Sequence, residues 1–122
     1  MERRAFEQLV TQALDELPDD VLAHLDNVEV VVETLADPDT LRQVGVRDPM
    51  GLLGFYHGIP LTERGQGFNL VLPDKISIYQ LPIERLCRTP EAIRAQVRRT
   101  VIHELAHHFG IDDDRLRQLG AY

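Results

Sequence analysis

Apolar side chains near the start of the chain recur at the three-to-four-residue spacing of a helix. The six that share one helical face are Phe6, Leu9, Val10, Ala13, Leu14 and Leu17. Pro18 ends this pattern, because proline is not tolerated in a helix interior. Val28, Val30 and Val32 then occupy every second position, and this alternation predicts a half-buried strand.

The middle of the chain shows weaker periodicity. Residues 36–51 contain two prolines and two glycines, and because these residues interrupt regular structure we predict a loop there. A short strand is predicted over Leu52–Tyr56. Two further apolar runs, Phe68–Leu72 and Lys75–Tyr79, are separated by Pro73-Asp74, and this arrangement predicts a hairpin.

The second strand of that hairpin has a predicted orientation. Ile76 and Ile78 would face the core, so Ser77 and Tyr79 would face outward. An edge strand in this position could pair with an extended peptide by adding a strand to the sheet.

The clearest predicted element is a long helix near the end of the chain. Thr89 is a candidate N-cap, Pro90 suits the first turn, and Gly110 predicts the end. Its apolar positions are Ile93, Val97, Val101, Ile102, Leu105, Ala106 and Phe109. A helix, then strands, then a helix indicates an α+β fold, and residues 1–122 are one domain's worth of chain.

That helix carries the sequence His103-Glu104-Leu105-Ala106-His107. Residues four apart stack on one helical face about 5–6 Å apart, so both imidazoles can reach one Zn²⁺ ion. Glu104 points about 100° around the helix from His103. It can therefore face a water molecule held by the metal and act as its general base.

A catalytic zinc ion needs a third protein ligand. No glutamate follows Glu104, and Gly110 allows the chain to turn back toward the metal. Asp113 lies three residues beyond that glycine and is the expected third ligand. The remaining possibilities are Asp112, Asp114 and His108, although the His108 ring would point about 100° away from His107.

Charge and cysteine content narrow the class of protein. Lysine and arginine number 13 against 20 aspartates and glutamates, so the formal net charge is −7. Such a chain repels phosphate backbones, and we expect no nucleic-acid partner.

Cys87 is the single cysteine, and no apolar run is long enough for a signal peptide or a membrane span. We therefore expect a cytoplasmic protein without a membrane partner.

The zinc motif and two other stretches resemble a known family. The segment Val101–Tyr122 looks like the active-site helix of zincin metallopeptidases. With the stretches Gly54–Thr62 and Pro73–Ile76, nearly the whole chain resembles the small bacterial minimal zincin family. The resemblance implies an α+β zincin-like domain that acts on peptides or proteins. It also implies a zinc ion at His103, His107 and Asp113, with Glu104 as the base.

The chain departs from the larger metzincins in two ways. Asp113 stands where they have a third histidine, and no methionine follows the motif. An anionic third ligand lowers the net charge of the metal site, so its water should be less acidic and peptidase activity modest.

Two other functions are compatible with the same motif. A metal-dependent endoribonuclease could use a related His-rich helix, although Glu104 and the net charge of −7 oppose this. A zinc-stabilised module that binds a partner without cutting it is the second alternative.

The same helix carries a basic patch formed by Arg94, Arg98 and Arg99. We expect these side chains to be solvated and paired with acids.

Overall fold

The computed structural model describes residues 1–58 and 73–120. Its elements in chain order are α1 (Arg3–Asp15), α2 (Asp19–Ala23), β1 (Val28–Glu33), α3 (Pro38–Val44), a 3₁₀ turn (Pro49–Gly51), β2 (Gly54–His57), β3 (Asp74–Tyr79), α4 (Gln80–Leu86), α5 (Pro90–Phe109) and α6 (Asp113–Gln118). This is the predicted α+β fold. Among the described residues no helix is both long and apolar enough to span a membrane.

The strands form one three-stranded sheet in the order β1-β3-β2. β1 runs parallel to β3, with Val28 opposite Asp74, and β2 runs antiparallel to β3, with Gly54 opposite Ile78. The predicted hairpin partner Phe68–Leu72 lies outside the described residues.

The predicted orientation of β3 is half right. Ile76 and Ile78 are fully buried as expected, but Ser77 and Tyr79 are also buried, with exposed fractions of 0% and 1%. The prediction that these two face outward on an edge strand is wrong, because β3 is the central strand and both sheet faces are covered. The described edge strands are β1 and β2.

Helices cover the first face of the sheet. α1 packs against α5, and α5 packs against β2 and β3. Phe6, Val97 and Val101 meet Ile76 and Ile78 in the main apolar core. Burying this much apolar surface fixes α5 firmly against the sheet, and α5 is the helix that carries the zinc motif.

The second face of the sheet is covered by the segment predicted to be a loop. Leu41 and Phe55 pack there against buried Tyr79. The loop prediction is wrong because this segment forms α3 and the 3₁₀ turn. Asp37 caps α3 by accepting a 2.7 Å hydrogen bond from the Thr40 N–H. The proline and glycine that suggested a loop occupy the first turn and the C-cap of α3.

The long helix α5 confirms the sequence prediction. The Thr89 hydroxyl accepts a 3.1 Å hydrogen bond from the Ala92 N–H and so caps its first turn. Gly110 ends it with φ 71°, a left-handed conformation that favours glycine. The chain then turns into α6.

Candidate active site

Three predicted site residues share one cleft along α5. His103, Glu104 and His107 all line it. The imidazole centroids of His103 and His107 lie 6.4 Å apart, as expected for side chains one turn apart on a helix. His103 is half-buried and His107 is exposed, so the pair opens to solvent on one side.

The opposite wall of the cleft comes from the segment that leads into β2. Leu52, Leu53 and Gly54 form this wall. In the turns of α5 before the zinc motif, the cleft is lined by Gln96, Arg99 and Thr100. Its volume is about 390 Å³. The cleft is thus apolar on the strand side and polar on the helix side. No sequence pattern indicates this wall or the three residues that extend the cleft, because tertiary packing brings them together.

Glu104 lies between α5 and the edge of the sheet. Burial raises the pKa of its carboxyl group. The charge of His107 and a hydrogen bond from the backbone of Tyr56 in β2 lower the pKa and partly offset that shift. A glutamate with a raised pKa is better matched to proton transfer near neutral pH than a fully solvated one.

The environment of His103 favours its neutral form. Burial lowers the pKa of this imidazole, and the charges of His107 and Arg99 lower it further. Neutral imidazole is the form that ligates a metal ion, because the ring nitrogen must offer a free lone pair.

The expected third ligand lies in the next helix. Asp113 is the first residue of α6 and is exposed. Within residues 1–58 and 73–120, no three His, Cys, Asp or Glu side chains are grouped closely enough to hold a metal ion. The structure therefore brings His103 and His107 together without bringing Asp113 to them.

The neighbours of Asp113 have other partners. Asp112 caps α6 by accepting a 2.8 Å hydrogen bond from the Arg115 N–H. Asp114 forms a 3.0 Å ion pair with Arg117. Among the described side chains, Asp113 has no hydrogen bond or ion pair, so it is the acid of this group with a free carboxylate.

His108 belongs to a separate cluster, as its position on the helix predicts. Its ring stacks on Tyr56 with centroids 4.0 Å apart, and its Nε2 lies 3.9 Å from Asp74 Oδ2. The Tyr56 hydroxyl donates a 2.5 Å hydrogen bond to the same carboxylate. This cluster ties the end of α5 to β2 and β3. No sequence pattern indicated it, because its members come from three separate elements.

A comparison with protein families found a match that covers most of the chain. A family model described as zincin-like metallopeptidase matches residues 25–121. Because the match covers most of the chain, the protein belongs to the zincin-like metallopeptidase family, as the resemblance implied. A comparison with curated proteins found no match.

Family membership implies a zinc ion, and the donor chemistry of the cleft fits it in part. Two imidazoles stand one turn apart on one helix face, which suits two positions of a tetrahedral zinc site. Glu104 is beside them and half-buried. The described residues do not bring a third ligand close to these two histidines.

Proposed function

We propose that this protein is a zinc-dependent peptidase whose metal is held by His103, His107 and Asp113, with Glu104 as the general base. One observation carries the proposal. His103 and His107 face the same open cleft, and the half-buried carboxyl group of Glu104, which follows His103 on the same helix, lines it too. Membership of the zincin-like metallopeptidase family supports the same class of reaction.

Glu104 performs the proton transfers in this proposal. When bound, zinc would polarise the scissile carbonyl group and lower the pKa of a water molecule. The Glu104 carboxylate accepts a proton from the attacking water and then passes it to the leaving amide nitrogen. The hydrogen bond from the Tyr56 backbone holds the carboxylate in one orientation. Its raised pKa makes the carboxylate a stronger base, so the first transfer is easier than it would be for a solvated glutamate.

The substrate class follows from the cleft wall. β2 is an edge strand of the described sheet, and Leu53 and Gly54 line the same cleft as the zinc motif. An extended peptide can bind such an edge by adding a strand. This assigns peptide pairing to β2 and replaces the expectation for β3, which is central.

Two features support Asp113 as the third ligand. Gly110 adopts a left-handed conformation that turns the chain between α5 and α6. Asp112 and Asp114 already serve as a helix cap and an ion-pair partner, whereas Asp113 has no such contact among the described residues. A ligand role for Asp113 would give its exposed carboxylate a partner.

Metal analysis of the purified protein, combined with a peptide-library screen, tests the proposal. We expect about one zinc ion per chain and cleavage of at least some extended peptides, with both lost on addition of a chelator. A protein that retains zinc but cuts no peptide would instead favour a zinc-stabilised binding module.

A further inference from the structure

Arg99 lies where its side chain can contact a ligand bound in the cleft. It lies one helical turn before His103 and lines the same cleft as the zinc motif. Four residues along a helix separate side chains by about 5–6 Å. The Arg99 side chain therefore begins one turn from the proposed metal ligand His103, within reach of a peptide that lies along the cleft.

The three arginines of α5 differ in their partners. Arg98 forms an ion pair with Glu16, and Arg94 Nε lies 3.7 Å from the same carboxylate. Within the described part of the chain, Arg99 forms no ion pair, and the expectation that it pairs with an acid is not met. An arginine carries five N–H donors, so Arg99 keeps most of its hydrogen-bonding capacity for a ligand.

The hydrogen bond that Arg99 does make joins it to other residues that line the cleft. Its Nη1 donates a 3.4 Å hydrogen bond to Gln96 Oε1, and Gln96 Nε2 donates a 3.1 Å hydrogen bond to Thr100 Oγ1. Thr100 is only 7% exposed and packs closely against Gly54. Buried Thr100 thus fixes the side-chain amide of Gln96, to which Arg99 is hydrogen-bonded.

We propose that Arg99 binds a substrate carboxylate within about two residues of the bond that is cut, since an extended chain advances about 3.3 Å per residue. The inference rests on the proposed peptidase function and adds its specificity. The carboxylate is either an acidic side chain or the free C-terminus of the peptide. Arg99 can hold either one with two parallel hydrogen bonds. The wall opposite it, Leu52 and Leu53, offers no charged partner.

The net charge of the chain does not prevent this recognition. The total of −7 repels anions at long range, but charges more than about 8 Å away are largely screened at physiological salt. Among the cleft residues the one acidic side chain is Glu104. A direct guanidinium contact therefore outweighs the distant acids.

Matched peptides test the proposal on the zinc-loaded protein. In one series, glutamate is exchanged for glutamine at each of two positions on either side of the cleaved bond. In the other, a free C-terminus is exchanged for an amide. We expect kcat/KM to be about tenfold higher for the carboxylate form at one position, the scale of a charged hydrogen bond. The series that shows the effect identifies the source of the carboxylate.

Two variants assign this preference to Arg99. In Arg99→Gln the preference should fall to nearly one. Arg98→Gln removes the same charge one residue away and should keep the preference, because Arg98 lines a neighbouring cavity, which Arg99 also borders, but does not line the cleft itself. A wild-type protein without preference, or an Arg99→Gln protein that retains it, overturns the proposal.

Binding measurements separate this inference from the peptidase proposal. If no peptide is cleaved, the same pairs are titrated into the zinc-loaded protein and their Kd values compared by calorimetry. Carboxylate preference that depends on Arg99 would support the inference while the peptidase proposal fails. Equal affinity within each pair, or no binding at all, overturns it.

Discussion

The backbone of Gly54 in β2 lies against the side chain of Thr100 in α5. A Cβ atom at Gly54 would lie 2.6 Å from Thr100 Cγ2 and 2.9 Å from the carbonyl oxygen of Ser77. Both distances are shorter than non-bonded atoms tolerate. The strand that walls the cleft and the helix that carries the zinc motif are therefore as close as a glycine permits.

This contact predicts that Gly54→Ala destabilises the protein. The added methyl group forces β2 away from α5 or shifts Thr100, and such overpacking costs about 1–3 kcal/mol in the free energy of unfolding. Urea denaturation would measure it. Gly51→Ala is the matched control, because its Cβ would meet Val46 Cγ1 at an ordinary 3.5 Å. Equal stability of the two variants would contradict the prediction.

The parts of the fold that the sequence predicts are those set by residues close together in the chain. The start, end and buried face of α5 follow from Thr89, Gly110 and the apolar spacing, all of which act within the helix itself. The sequence does not predict α3, because Pro38 and Gly45 interrupt regular structure in loops but are equally suited to the start and end of a short helix. Burial of Ser77 was missed because strand order depends on long-range pairing.

The capping role of Asp37 leads to a second prediction. Replacing Asp37 with alanine removes the acceptor for the Thr40 N–H, and loss of a helix N-cap typically costs about 1 kcal/mol. Asp39→Ala is a suitable control, because Asp39 is in the same helix and its side chain, which is 87% exposed, makes only a surface ion pair with Arg42, a contact that contributes little to stability. Urea unfolding of both variants should show the larger loss for Asp37→Ala. Similar losses would argue against the cap.

The candidate site shows the same division between local and long-range signals. His103, Glu104 and His107 could be predicted because one helix fixes their spacing. The apolar wall at Leu52, and the lack of an ion-pair partner for Arg99 among the described residues, depend on how separate elements pack. No pattern within one element indicates such neighbours.

His57 on β2 predicts a pH dependence of stability. Its Nε2 lies 3.1 Å from Ser77 Oγ, which itself donates to Glu33. Burial lowers the pKa of His57 and the charge of Lys75 adds to this shift, while Glu33 and Asp37 oppose it.

A lowered folded-state pKa means that the unfolded chain takes up the proton first. Stability is therefore full above the unfolded pKa of about 6.5 and is lost as pH falls from there to the folded value. His57→Gln removes this titration. Urea unfolding from about pH 7.5 down to about pH 5, a range that includes that pKa, should show wild type losing stability relative to the variant. A difference that stays constant with pH would contradict this origin.

Metal content tests the ligand set. His103→Ala and Asp113→Ala should each lower zinc occupancy after dialysis, because each removes one of three proposed ligands. Asp114→Ala is the control for Asp113→Ala. Asp114 already pairs with Arg117, so the Asp114→Ala protein should hold zinc at the wild-type level. Elemental analysis gives the result. Full occupancy in Asp113→Ala with a loss in Asp114→Ala would transfer the ligand role to Asp114.

The most direct test of the central claim compares wild type with Glu104→Gln. Glutamine keeps the size of the side chain but cannot accept the proton, and loss of a positioned general base typically slows a reaction about 10²–10⁴-fold. On a peptide that the zinc-loaded wild type cleaves, Glu104→Gln should hold zinc normally and cleave at least about 100-fold more slowly. Equal cleavage rates at equal zinc occupancy would show that the activity does not come from this site.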